Sequence, residues 1–264
     1  MKTGFIGTGA ITEAMITGLM EEGGGCRGPL PGGPLLVTRR NRQRSTRLAE
    51  TYRGVEIADD PAEIVARCDL VVIAVLPGQA EDLLQTLSFG SGQTVASVVA
   101  GLTLSRLQPL VSPARDVCRF IPMPPVEYGL GPIPVYPACS RLQRLLGGLG
   151  TWLCLDRETD FDALSASSAL MATCFQLMAT QAHWTAGQGV DAGVAAAYTT
   201  SLWQALTTQA DRLGPAHLAG LAEECLTPGG LNEQVIMALR QAGWFAGLEG
   251  ELDKVADRVR QGVR

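Results

Sequence analysis

Two groups of residues have the types and spacing for chemistry, and they stand at opposite ends of the chain. The first is Gly7-Thr8-Gly9-Ala10-Ile11, set between the apolar Gly4-Phe5-Ile6 and a helix-like run to Met20. A strand that turns on glycine into a helix brings free backbone N–H groups and the positive end of a helix dipole to one point, which suits a dinucleotide phosphate. Gly7 supplies the tight turn, Gly9 keeps a side chain away from a pyrophosphate, and Thr12 stands where the third small residue of the dinucleotide fingerprint belongs. The same residues also fit a plain strand-to-helix turn without a ligand. The second group is Thr227-Pro228-Gly229-Gly230-Leu231-Asn232-Glu233. Backbone N–H groups at a helix start suit a carboxylate, and the Asn232 amide adds a donor, so Gly229, Gly230 and Asn232 are candidate substrate-binding residues. An ordinary proline-glycine helix entry is the alternative.

The glycine loop needs neighbours at one sheet edge. The apolar run 35–37 ends in Thr38-Arg39-Arg40-Asn41. In a dinucleotide fold this point faces the adenosine ribose, where an acid would accept from a free 2′-hydroxyl. Here Thr38 is followed by two arginines, whose guanidinium forks pair well with a phosphate. The pattern predicts NADP(H) in preference to NAD(H); solvated surface charge is the other reading of Arg39 and Arg40. Residues 69–75, DLVVIAV, form a continuous apolar run, the mark of a central parallel strand covered on both faces. The run ends at Val75, and the turn Leu76-Pro77-Gly78-Gln79 then lies at the carboxyl edge of the sheet, where ligands collect, which makes Val75, Leu76 and Pro77 cofactor candidates. A further strand, 94–99, is followed by Ala100-Gly101, and a glycine there permits close approach of the nicotinamide half of the cofactor. The proline-rich 121–129 excludes a helix and makes a rigid loop at the same edge.

The elements that position these residues alternate in character. After a glycine- and proline-rich loop at 22–34, helix is predicted at 43–52, strand at 54–58, and a short helix from Pro61, as proline permits in a first turn. Strands follow at 117–121, 131–136 and 151–155, with a helix at 140–149. At Asp156-Arg157-Glu158 the pattern changes: residues 163–190 carry no Asp, Glu, Lys or Arg, and after Asp191 none returns until Asp211. A membrane span needs about 20 predominantly apolar residues, but Gln176, Gln181, His183 and many hydroxyls argue against one. Two long uncharged helices in so small a domain bury more surface than their own chain covers, which predicts a homodimer or higher homo-oligomer through these helices. The fold class is therefore α/β: a Rossmann-type dinucleotide-binding domain over residues 1–157, then an all-α dimerisation and substrate domain over 158–264.

Composition removes several classes. The chain has 264 residues, 46% hydrophobic and 18% charged, with a net charge of −5. No basic excess exists to meet nucleic acid. The opening apolar run is too short for a signal peptide. Seven cysteines lack C-x-x-C or zinc-like spacing, so no metal is expected and the thiols read as reduced core residues of a cytoplasmic protein. The only lysines are Lys2 and Lys254, which leaves no lysine acid in the middle of the chain. Of the two histidines, His217 reads as surface and His183 as a hydrogen-bonded core residue.

These stretches together resemble the pyrroline-5-carboxylate reductase family. GFIGTGAITEAMITGL is similar to that family's fingerprint, LVVIAVLPGQ to its strand and proline turn, SVVAGL to its Ala-Gly segment, and LTPGGLNEQVIMALRQAGW to its Pro-Gly-Gly loop and following helix. RFIPMPP sits where the family has Arg-x-Met-Pro-Asn-x-Pro. The resemblance implies interlocked helical dimers and hydride transfer from NAD(P)H to a cyclic imine, most simply 1-pyrroline-5-carboxylate to proline. It also implies that a substrate carboxylate lies at Gly229-Gly230, with Met123 and Pro124 on the substrate side. Three positions depart from the family: Met123 stands where it has Asn, Ser165-Ala166-Ser167-Ser168-Ala169 lacks its glycines and proline, and Asn232 replaces its threonine. A protonated imine is already an electrophile, so its reduction needs positioning more than a strong acid. Ser167, Ser168 and Asn232 are the candidate catalytic residues; the two serines also fit plain helix-surface hydroxyls. A reductase of another imine, a β-hydroxyacid-type dehydrogenase and a non-catalytic NADPH-binding regulator are the alternatives. The second relies on a mid-chain lysine that this sequence lacks.

Overall fold

The computed structural model describes residues 1–21 and 33–261; the predicted loop at 22–34 falls almost wholly outside them, as does Cys26. The chain divides into two compact units, Met1–Phe161 and Asp162–Arg264.

The first unit is built on one eight-stranded sheet. Its elements in order are β1 (Thr3–Ile6), α1 (Ala10–Met20), β2 (Leu35–Thr38), α2 (Arg42–Thr51), β3 (Val55–Ala58), α3 (Pro61–Arg67), β4 (Leu70–Ile73), α4 (Pro77–Leu84), β5 (Thr94–Ser97), α5 (Leu104–Leu110), β6 (Asp116–Phe120), β7 (Pro132–Tyr136), α6 (Ser140–Leu146) and β8 (Thr151–Cys154). The strands lie in the order β3-β2-β1-β4-β5-β6-β7-β8. All neighbours pair in parallel except β6 and β7, which run antiparallel with Arg119 opposite Tyr136. This is the Rossmann arrangement, extended by two reversed strands.

Burial explains the long apolar runs. Every residue of β1, β2, β4 and β5 is buried. Alternate side chains feed two cores: Phe5, Val37, Leu70 and Val72 pack on one face with Met15 of α1, Leu48 of α2 and Leu142 of α6. Ile6, Leu36, Val71 and Ile73 pack on the other with Ile64, Leu84 and Leu107 of α3, α4 and α5. A sheet covered on both faces has no solvent side to make polar, so period-two alternation disappears from its sequence.

Local chemistry sets the helix ends. Asp60 caps α3 by accepting from the Glu63 N–H at 2.8 Å, and Pro61 occupies a first-turn position where its missing N–H is no loss. Pro77 does the same for α4, so the predicted turn at Leu76-Pro77 continues into a helix. The proline-rich loop also differs from expectation: Pro124–Tyr128 forms a 3₁₀ turn, with its prolines at the N-terminal positions. That turn lies hard against α1. A Cβ on Gly18 would come within 2.0 Å of the Val126 carbonyl oxygen, so only glycine allows this approach.

The second unit is helical. α7 (Asp160–Ser168) leads into it, followed by α8 (Met171–Gly187), α9 (Ala192–Leu213), α10 (Leu221–Glu224), α11 (Leu231–Gln241) and α12 (Trp244–Arg260). Where one helix over 215–226 reads from the pattern, Pro215–His217 is a 3₁₀ turn and α10 has a single turn; Gly214 (φ +84°) ends α9 ahead of the first piece, and Gly220 precedes the second. α8 and α9 pack together, joined by the Trp203 indole N–H donating to Gln181 Oε1 at 2.9 Å. Neither buries much: α8 has no buried residue and α9 only Ala195 and Thr199. Phe175, Trp184, Val194 and Tyr198 are all more than half exposed. By length and composition the run Asp160–Gly187 is also apolar enough to cross a membrane.

Two expectations about single residues change. His183 is exposed on α8 rather than part of a core. Cys68, Cys118 and Cys139 are buried thiols as predicted, but Cys154, Cys174 and Cys225 are exposed.

Candidate functional site

The strand order reverses between β1 and β4, and such a switch point leaves a crevice at the carboxyl ends of the strands. A cleft of about 600 Å³ lies there, lined by Gly7, Thr8, Gly9, Ala10 and Ile11 after β1, Arg40, Asn41 and Arg42 after β2, Ala74, Val75, Leu76 and Gln79 after β4, and Val98 after β5. Thus Gly7 to Ile11, Arg40, Val75 and Leu76 come together as the sequence predicts. Thr38, Arg39, Pro77, Ala100 and Gly101 do not contribute to the lining.

The glycine loop is held from both sides. Gly7 has φ +106°, and a Cβ there would sit 2.3 Å from the Ala74 carbonyl oxygen, so β4 closes directly on the turn. The buried Thr12 hydroxyl donates to the Gly7 carbonyl at 2.7 Å; the third fingerprint position therefore works here as a polar clamp. Thr38 receives the Gly7 N–H on its hydroxyl at 3.0 Å and the Thr8 hydroxyl on its carbonyl at 2.6 Å. Thr38 thus turns to the loop. In contrast, a Cβ on Gly9 would meet nothing within 4 Å, and no side chain caps the start of α1. The first-turn N–H groups of α1 and the open space at Gly9 fit a pyrophosphate.

The two arginines diverge. Arg39 pairs with the Asp59 carboxylate at 2.7 Å, while Arg40 donates to Gln79 Oε1 at 2.6 Å. Asp59 is itself anchored, since its N–H donates to Glu63 Oε2 at 2.7 Å. That bond, and then Arg67, hold the Glu63 carboxyl below the usual carboxylate range. Asn41 and Gln79 stand in the two turns that the sequence places at this edge, without a role assigned to either; Arg42, Ala74 and Val98 were not singled out by the sequence. Adjacency to the arginine pair and to the proline turn was the available signal for Asn41, Arg42 and Gln79; nothing local marks Ala74 or Val98.

The substrate-side candidates fall in both units. Met123 is half-buried and Pro124 exposed, at the start of the 3₁₀ turn. In the helical unit, Ser167 is exposed, and the Ser168 hydroxyl donates back to the Ser165 carbonyl at 2.7 Å. At the glycine turn every predicted donor is engaged within the chain. The Gly229 N–H donates to Glu233 Oε2 at 2.6 Å, the Gly230 N–H to the Thr227 carbonyl at 2.7 Å, and the Asn232 amide to the Cys225 carbonyl at 3.0 Å.

A further polar knot, missed in the sequence, lies at the end of the first unit. Arg119 of β6 is almost fully buried and donates to Glu158 Oε1 at 2.5 Å, and the same oxygen accepts from the Leu104 N–H at 2.7 Å. The Arg119 guanidinium also lies 4.9 Å from the Phe161 ring centroid. It ties β6, the start of α5 and the segment leaving β8 into one structure.

Comparison with known proteins agrees with this architecture. Residues 2–101, which contain the glycine loop, match the family described as NADP oxidoreductase coenzyme F420-dependent. The chain is 26% identical to the pyrroline-5-carboxylate reductase of Pseudomonas aeruginosa over 270 residues, covering 97% of this chain and 95% of that one. In fold it is similar to the 1-pyrroline-5-carboxylate reductase of Streptococcus pyogenes, with a TM-score of 0.79 at 22% identity over 99% and 98% of the two chains. It is likewise similar to the Plasmodium falciparum pyrroline carboxylate reductase with NADP bound, with a TM-score of 0.78 at 16% identity over 98% and 97%. The chain is thus similar along nearly its whole length to pyrroline-5-carboxylate reductases, and over its glycine loop it is matched by an NADP-oxidoreductase model.

Proposed function

We propose that this protein reduces a cyclic imine with NADPH, most simply 1-pyrroline-5-carboxylate to proline. The observation that carries the reading is the cleft at the β1/β4 switch point, where uncapped α1 N–H groups and the space at Gly9 stand beside Arg40 and Arg42. When bound there, the nicotinamide supplies a hydride. The residues of this chain bind and orient: Gly7 to Ile11 hold the pyrophosphate, and Arg40, with Arg42 beside it, meets the 2′-phosphate. Val75 and Leu76, which line the cleft, would meet the cofactor beyond its pyrophosphate, and Pro77, Ala100 and Gly101 remain candidates for the nicotinamide half on the sequence alone. Because a protonated imine accepts hydride without further activation, Ser167, Ser168 and Asn232 have a positioning task in the helical unit, where Gly229 and Gly230 are candidates for binding substrate; Met123 and Pro124 are the candidates of the first unit.

The exposed apolar residues of α8 and α9 support a homodimer through the helical unit, which also accounts for the apolar run Asp160–Gly187 without a membrane. The free thiols fit a cytoplasmic location. A second reading has one observation in its favour. Glu233 already holds the Gly229 N–H, which favours an imine that lacks a carboxylate.

The test is NADPH oxidation, followed by absorbance, with pyrroline-5-carboxylate, a piperideine carboxylate and unsubstituted 1-pyrroline. Turnover with the first supports the proposal, and turnover confined to 1-pyrroline supports the second reading. Tight NADPH binding without turnover on any of them overturns both.

A further inference from the structure

Arg39 and Arg40 are neighbours in sequence, yet the structure treats their charges differently. Arg39 meets a carboxylate, Asp59, and its charge is balanced. Arg40 meets the side-chain carbonyl of Gln79. That acceptor is neutral, so Arg40 is held but not neutralised. The bond also crosses the cleft. Arg40 follows β2 and Gln79 lies in the first turn of α4 after β4, and these strands are separated in the sheet by β1, a span of two strand spacings or roughly 10 Å. The glycine loop that follows β1 lines the same cleft between them.

We propose that Gln79 is a positioning residue for recognition of the 2′-phosphate, fixing the Arg40 guanidinium over the cleft before the nucleotide arrives. The inference rests on the NADPH reading above and adds a residue that it does not contain. An arginine side chain has rotamer entropy to lose when it is immobilised on a ligand. A guanidinium already held in place loses less, and the difference appears as affinity for the ligand that uses it. An amide suits this task because it accepts a hydrogen bond without competing for positive charge. A carboxylate at the same place would make Arg40 resemble Arg39. NADH has no phosphate for Arg40 to meet, so the effect belongs to NADPH alone.

The experiment is calorimetric titration of the full chain with NADPH and NADH, using Gln79→Leu, Gln79→Glu, Arg40→Ala and the Arg40→Ala/Gln79→Leu double variant. Gln79→Leu removes the acceptor at similar volume and is expected to weaken NADPH roughly threefold to tenfold, the range of one lost hydrogen bond, with NADH unchanged. Gln79→Glu keeps the acceptor, adds a charge, and is expected to weaken NADPH at least as much, again without loss of NADH. In the Arg40→Ala background, Gln79→Leu should have no further effect, because Gln79 acts through Arg40. Equal loss for both nucleotides, or additive losses in the double variant, would overturn the proposal. Failure of the wild-type chain to bind either nucleotide, or an Arg40→Ala effect equal for both, overturns the reading beneath it and the proposal with it.

Discussion

Thr38 holds Gly7: its hydroxyl receives the Gly7 N–H at 3.0 Å, at the point where β2 passes the glycine loop. The position suggests an adenosine contact, but the side chain serves the turn that forms the phosphate site. Thr38→Val keeps the shape and leaves the Gly7 N–H without its acceptor, a loss of about 1–3 kcal/mol. The expected outcome is a lower urea midpoint together with equal weakening of NADPH and NADH. Unchanged stability with loss of one nucleotide only would show that Thr38 reads the ribose.

Arg119 and Glu158 make a second test. Glu158→Ala leaves a guanidinium that is 7% exposed without its anion, and removing one partner of such a pair typically costs roughly 3 kcal/mol or more. Arg119→Met replaces the charge with apolar volume; with Glu158 still 23% exposed and able to reach water, the smaller loss is expected there. Denaturant midpoints for the two variants check the order. The reverse order would mean that the stacking of Arg119 on Phe161, not the ion pair, secures the knot.

Glu233 competes with any carboxylate for the Gly229 N–H. Glu233→Ala frees that donor and removes a like charge. The Michaelis constant for pyrroline-5-carboxylate is expected to fall about threefold or more, while that for 1-pyrroline stays level. A parallel change for both imines would separate Glu233 from substrate choice.

Cys68 ties alkaline stability to one side chain. Burial pushes its thiol up from 9.0 to about 11. The unfolded chain therefore releases this proton first as pH rises, so the contribution is whole below pH 9.0 and is lost through to about pH 11. Urea unfolding across that window should show stability falling with pH, and Cys68→Ala should flatten the fall. An identical slope in the variant would assign it to other groups.

Much of the first unit was legible because its signals are local. Gly7-Thr8-Gly9 between strand and helix, and the apolar run ending at Val75, each state their conformation within a few residues. The direction of β7 and the burial of Arg119 depend on pairing across the sheet, and no window around residue 119 contains that information. Thr38 shows the same limit at the scale of one side chain: its place at the strand end is readable, but which partner it faces follows from how β2 and β1 align. Gln79 was readable as part of the turn at the sheet edge, but its partner was not, because an amide in a first helical turn is ordinary until Arg40 is found across from it. In the second unit the lack of charge was readable, whereas the engagement of Gly229, Gly230 and Asn232 by their own neighbours depends on the folded turn.

The near absence of interior side chains in α8 and α9 has a thermodynamic meaning. A bundle that conceals so little of itself draws its resistance to heat from whatever lies over it, and when that cover is an identical molecule, mass action enters the melting curve. The unfolding temperature then belongs to the solution as much as to the polypeptide, climbing as the protein is concentrated and sinking as it is diluted.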